Sequence, residues 1–289
     1  MASTQQLKSR VRSVKSTKQI TKAMQMVAAS KMRRAQDATK GSAPYAKAAN
    51  ELLAYLASQG ATDNHKWFEA RTVKNRLVIV VAADKGLAGA YNANVFKQYL
   101  TILSEDTAQG ISTKTIAVGR KASQFVTRIK GTDVIGTYED MPDQPEGSQF
   151  HTILNTAKDA YENKQVDAVD VIYTKFVSSI TQVAEVARLF PAGLNTDVEV
   201  SDAIREAVYE PSVERVLDDV AYRLIGSRLF QALLDARASE HSMRMMAMKN
   251  ATDNASDLVE DLTLEMNKAR QGAITQELAE ISAGVEAMN

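Results

Sequence analysis

Between Pro211 and the C-terminus the chain has no further proline, and the stretch is rich in Ala, Leu, Met, Glu, Arg and Gln. Those are the strong helix formers. Pro211 suits a first helical turn, because its missing N–H removes a donor that would be unpaired there anyway. Only Gly226, Gly272 and Gly284 weaken the segment. Read as one helix from about Pro211 to Met288, it is about 117 Å long at ~1.5 Å per residue. No compact domain encloses such a rod, so it must pack along another long helix or inside a partner.

Its apolar pattern supports a helix–helix seam. Ala247, Ala251, Ala255, Leu258, Leu262, Met266, Ala269 and Ala273 recur at steps of three and four. The steps open four, four, three, closer to an eleven-residue repeat than to a heptad, which leaves the supercoil hand open. A second long helix is predicted over residues 2–59. Its apolar face is marked by Leu7, Val11 and Val14, then Ile20, Met24, Val27 and Ala28. Gly41 and Pro44 are expected to kink or break it, with the helical pattern resuming over Tyr45–Leu56. Lys+Arg and Asp+Glu both number 35, yet residues 1–40 hold ten Lys/Arg against one acid, Asp37, and residues 211–289 hold thirteen acids against eight bases. The two ends therefore attract.

The period changes in the middle. Leu77–Ala83 is a continuous β-branched run, as in a strand buried on both faces. A loop, Asp84–Asn92, leads to a helix through about Leu103. Further strands are predicted at Lys114–Val118, 133–137, Ala168–Phe176 and Gln182–Phe190. Helices are predicted from Gly119 to Lys130 and over Phe150–Asn163, with a hairpin turn at Val177–Ile180. Residues 60–75, Met141–Gly147 and Pro191–Glu210 read as connectors. Strands alternating with helices imply an open α/β, Rossmann-like sheet, parallel at first and antiparallel at one edge. The fold class is thus α/β plus coiled coil, in three parts: 1–59, 76–190 and 211–289.

Little of the sequence looks catalytic. There is no cysteine, hence no disulfide and no thiolate. The Gly86–Gly89 loop stands where phosphates bind in nucleotide folds, but GLAGAYN is neither GxGxxG nor GxxxxGK[ST], so a tight strand-to-helix turn is the better reading. His65, His151 and His241 are scattered without metal-ligand neighbours. Asp257, Glu260, Asp261 and Glu265 read as a solvated helix face, and Met243, Met245, Met246 and Met248 as adaptable packing. Neither cofactor nor metal is expected. The basic N-terminal face lacks the interleaved aromatics of a nucleic-acid surface. No signal peptide is apparent, and no run approaches the ~20 apolar residues that span a bilayer. An interaction protein fits best. The alternatives are a basic coiled-coil adaptor and an α/β nucleotide-binding protein.

Three motifs carry a resemblance: Ser13-Val14-Lys15 with Lys22-Ala23-Met24-Gln25-Met26-Val27-Ala28-Ala29-Ser30-Lys31-Met32; Ser239-Glu240-His241 followed by Met246–Ala255; and Asn267-Lys268-Ala269-Arg270-Gln271-Gly272-Ala273-Ile274-Thr275-Gln276-Glu277-Leu278. They resemble the gamma subunit family of rotary ATP synthases, in order and over the whole chain. The loop Asp84–Asn92 departs from the usual family form, with Ala83, Lys85 and Ala88-Gly89-Ala90 in place of the family's residues. The resemblance implies a non-catalytic rotor shaft. Its terminal helices form an antiparallel coiled coil inside a hexamer of alpha and beta subunits, and its α/β domain meets the epsilon subunit and the membrane c-ring. It further implies partner contacts at Lys18, Lys22 and Met24, facing an acidic beta-subunit loop, and at Arg270, Gln271 and Thr275 near the upper end. The implied location is the cytoplasmic face of a bacterial membrane, held peripherally through the complex.

An antiparallel pairing that sets Ala57 near Pro211 brings Leu7 near residue 261, within two turns. Lys8, Arg10, Arg12 and Lys15 are then expected beside Asp257, Glu260, Asp261 and Glu265, fixing register more than stability.

Overall fold

The fold comes from a computed structural model describing residues 4–63, 65–143, 147–193, 200–205, 207, 210 and 212–286. In chain order it contains α1 (Thr4–Ser58), β1 (Asn75–Val81), α2 (Tyr91–Gln109), β2 (Ser112–Val118), α3 (Arg120–Val126) and β3 (Asp133–Tyr138). Then come α4 (Ser148–Glu162), β4 (Ala168–Phe176), β5 (Gln182–Phe190), the one-turn α5 (Asp202–Arg205) and α6 (Val213–Glu286). The chain divides into two compact units. One takes the first part of α1, to Ala28, and the last part of α6, from Met245; the other is Ala29–Arg244.

The larger unit is built on a five-stranded sheet of order β3-β2-β1-β4-β5. β1 pairs in parallel with β2 and β4, and β2 with β3; β5 closes one edge antiparallel to β4. The run from Leu77 is almost wholly apolar because both sheet faces are covered. Leu77, Ile79 and Val81 pack against Ile153, Leu154, Ala157 and Tyr161 of α4 and against Ile225, Leu229 and Leu233 of α6. Val78 and Val80 point the other way, onto Val95, Tyr99 and Ile102 of α2 and Ala122 and Val126 of α3. This is the period of two in a strand, with a core on each side. Gly226, which costs the helix propensity, allows α6 to lie close to α4: a Cβ there would sit 3.1 Å from Leu154 Cδ2. Leu53 and Leu56 of α1 pack on Leu217 and Leu224 of α6, so these stretches pair antiparallel.

Two boundary expectations change. α1 is helical through Gly41 and Pro44, with no break. Flanking turns on both sides that bury apolar residues (Ala35, Leu53, Leu56) favour continuity over the roughly 3 kcal/mol penalty of an interior proline. Pro211 lies outside the described residues, as do parts of the connectors 141–147 and 191–210. The cap of α6 is instead Ser212, whose Oγ accepts from the Arg215 N–H at 3.3 Å.

In the smaller unit the two helices also pair antiparallel. Leu7, Val11 and Leu262 are its buried centre, flanked by Val14, Val259, Met266 and Ala269. The inward positions of α6 are Met245, Met248, Thr252, Ala255, Val259, Leu262, Met266 and Ala269. Their steps alternate three and four throughout, which is a heptad and not the eleven-residue pattern expected above; a heptad is the period of a left-handed supercoil. Leu258, assigned to the seam from its apolarity, is 43% exposed. On α1 the inward positions are Leu7, Val11, Val14, Lys18, Thr21, Gln25 and Ala28, again a heptad. Ile20 and Val27 were expected on this face and are instead 57% and 56% exposed. The reason is that the middle of the seam is polar: Thr252 donates a hydrogen bond to Thr21 Oγ1 at 2.8 Å. Hydrophobicity alone therefore pointed to the wrong side of the helix.

Candidate functional site

In an open parallel sheet, ligands enter at the carboxyl ends of strands where the order of connections reverses. Here that point lies between β1 and β4, beside the loop whose glycines raised the question of phosphate binding. The loop turns tightly, with Leu87 and Gly89 both at positive φ (62° and 56°), and its Asn92 accepts from the Ala83 N–H at 3.0 Å. Both carboxylate oxygens of Asp84 are bonded within the fold. Its Oδ1 accepts the N–H groups of Arg120 and Asp140, each at 3.0 Å, which ties together the ends of β1 and β3 and the start of α3. Gly119, before α3, sits at φ 93° and so close to Ala82 that a Cβ would lie 2.1 Å from its carbonyl oxygen.

The crevice is filled by α6. Arg237 Nη2 reaches Asp84 Oδ2 (3.2 Å) and the Met141 carbonyl (2.7 Å), and its Nη1 reaches Glu240 (3.0 Å). Glu240 also takes Arg244 Nη2 at 2.7 Å, and Arg244 extends to the carbonyls of Lys85 and Gly86. Ser239 donates to the Thr174 carbonyl at the end of β4 (3.0 Å), and Ser242 to the Ser179 carbonyl in the hairpin turn (2.7 Å). Met243 packs on Ala83, Ala88 and Tyr91. Burial alone would raise the Asp84 pKa; the two backbone donors and Arg237 outweigh it and hold the carboxyl below its usual range. Burial lowers the pKa of His241, despite Glu240 and Asp143 nearby. Of the other histidines, His65 pairs with Asp218 at 2.8 Å and His151 is exposed.

The predicted contact residues all lie in the smaller unit, in two places. Lys18 and Lys22 line a groove of about 460 Å³ with Lys15, Gln19, Ala23, Met26 and Val259. Lys18 is half-buried at a seam position, whereas Lys22 is exposed and bonded to Gln25 at 3.2 Å. Met24 is half-buried and does not line that groove. Arg270, Gln271 and Thr275 are exposed on α6, with Thr275 Oγ1 bonded back to the Gln271 carbonyl at 2.9 Å. The expected pairs of Lys8, Arg10, Arg12 and Lys15 with Asp257, Glu260, Asp261 and Glu265 are not among the ion pairs of the described residues. All eight side chains are exposed, and Lys15 lines the groove with Val259 of α6 instead of pairing with an acid.

Sequence reasoning missed the crevice-filling role of Arg237, Ser239, Glu240, Ser242 and Arg244. Ser239-Glu240-His241 stood out as a motif, but its physical reason is tertiary: a long helix shows no sequence signal for the loop it lies against.

A protein-family model described as ATP synthase matches residues 3–288. An ATP synthase gamma chain from Cupriavidus metallidurans is 38% identical over 292 aligned positions, and one from Stenotrophomonas maltophilia 37% over 289; each alignment covers 100% of both chains. The chain belongs to the ATP synthase gamma chain family. Among solved structures, a chain of the Tetrahymena thermophila mitochondrial ATP synthase central stalk and c-ring is 25% identical, with a TM-score of 0.59 over 80% of this chain and 99% of that one. A chain of the Euglena gracilis mitochondrial enzyme shares the fold at a TM-score of 0.66 and 18% identity, covering 99% of this chain and 94% of that one. As a gamma chain, the protein is a non-catalytic, central-stalk subunit. The filled crevice gives a structural reason why its α/β domain need hold no nucleotide.

Proposed function

We propose that this gamma chain is the turning shaft of a bacterial ATP synthase, passing torque between a membrane c-ring and a hexamer of alpha and beta subunits, with an epsilon subunit at its α/β domain. The observation that carries the reading is the end of α6. From Gln271 to Ala283 every residue is exposed. Yet Ile274, Leu278 and Ile281, spaced by four and three, form an apolar stripe 50%, 60% and 63% exposed. A lone helix with such a stripe is marginal in water and is stabilised by an enclosing surface. Around it, Arg270, Gln271 and Thr275 offer charge-assisted and neutral hydrogen bonds to loops of the housing. Lower on the shaft, Lys18, Lys22 and Met24 lie at or beside a groove bearing three lysines, which suits an acidic loop of a beta subunit. No helix among the described residues is long and apolar enough to cross a membrane; the proposed place is the cytoplasmic face of a bacterial membrane, through the complex. The division into 1–59, 76–190 and 211–289 is proposed as shaft, base and shaft.

The test is the double variant Arg270→Ala with Gln271→Ala in the assembled enzyme. Coupled ATP synthesis should fall while the isolated chain keeps its circular dichroism. Unchanged synthesis would remove these residues from the contact.

A further inference from the structure

We propose that Arg237 is the positioning residue that locks α6 to the sheet, so that turning force passes between them without slip. The inference rests on the shaft reading above and assigns the joint within it. A shaft helix that carries torque must be fixed against rotation about its own axis; close packing resists that rotation, and directional bonds at a defined angle add to the resistance. Arg237 supplies direction. Its guanidinium is nearly buried, with 13% of the side chain exposed, and Asp84 and Glu240 are 10% and 5% exposed. One planar group thus bonds the loop after β1 through Asp84, the segment after β3 through the Met141 carbonyl, and its own helix through Glu240.

Ser239 and Ser242 bond the end of β4 and the hairpin turn. At ~100° per residue these two lie about 200° and about 140° around the helix from Arg237. The helix is therefore held from two sides, one charged and one neutral. Asp84 stiffens the charged side, because the same carboxylate already fastens Arg120 and Asp140. Removing Arg237 takes from Asp84 its cation and leaves Glu240 with Arg244 alone; that side is then held only by the longer bonds of Arg244 to the Lys85 and Gly86 carbonyls.

The experiment uses ATP synthase containing this chain in inverted membrane vesicles. It reads ATP hydrolysis and ATP-driven ion uptake together. Arg237→Met should keep hydrolysis and lose ion uptake per ATP, and Arg237→Lys should recover most of the coupling. The chain has no cysteine, so Ser179→Cys with Ser242→Cys adds a thiol pair across the neutral side. In the Arg237→Met background, oxidation by copper phenanthroline should restore coupling and reduction should abolish it again. Full coupling in Arg237→Met overturns the proposal. So does an Arg237→Met chain that fails to assemble under both redox conditions, which would make the residue necessary for folding alone. If the unsubstituted chain gives no coupled activity with hexamer and ring, the shaft reading itself fails instead.

Discussion

Leu262→Ala and Leu258→Ala, compared in the isolated chain, discriminate between the two possible seams of the coiled coil. Leu262 is 4% exposed and Leu258 43%. Fully burying a leucine is worth roughly 1.5–3 kcal/mol, and buried Leu→Ala changes cost about 2–5 kcal/mol once the cavity is included. The seam is only two helices wide, and Leu7, Val11, Val259 and Met266 can close in on the gap. The cost at Leu262 is therefore placed at the low end, about 2–3 kcal/mol. Leu258 loses only part of a transfer term and leaves no cavity, so about 1 kcal/mol or less is expected. The gap is about 1 kcal/mol at the least and about 2 kcal/mol at mid-range, roughly a five- to thirtyfold difference in an equilibrium. Native-state hydrogen exchange of amides 255–266 measures it, with local opening rising at least about fivefold more in Leu262→Ala. An equal or larger effect in Leu258→Ala would refute the heptad register and restore the one read from apolarity.

Three further outcomes follow from the larger unit. Gly119→Ala would place a methyl 2.1 Å from the Ala82 carbonyl at a positive φ; a loss of about 2 kcal/mol or more is expected, read by urea unfolding. Burial pushes the Asp235 pKa up to about 6, with Gln231 and Lys175 opposing. Since the folded value exceeds the unfolded ~3.9, the folded state binds the extra proton, and stability falls as pH rises from about 4 to about 6. Asp235→Asn should flatten that slope and gain about 1–2 kcal/mol at pH 7; a slope that persists in the variant assigns it to other groups. Calorimetry of the purified chain with ATP should show no heat of binding, because α6 occupies the crevice; a micromolar signal would contradict that occupancy.

The α/β portion was readable because its signals are local. β4 and β5 fall at the expected residues, and β1 is shifted by two, since a doubly covered strand is apolar without interruption. Two long helices were equally plain from composition. The face each helix turns inward was not. Lys18, Thr21 and Gln25 occupy seam positions on α1, while Ile20 and Val27 face outward, so a rule that apolar residues point inward fails just where polar groups bond across. The grip of α6 on the sheet was also hidden, because Arg237 acts on Asp84, 153 positions away.

A sheet of this kind usually holds something that comes and goes. Here the guest is part of the same polypeptide, so its local concentration is set by the chain that tethers it and not by the cell. It leaves only by local opening of the fold and needs no supply from solution. A cradle made for transient visitors becomes a permanent mount once the visitor is covalently its own.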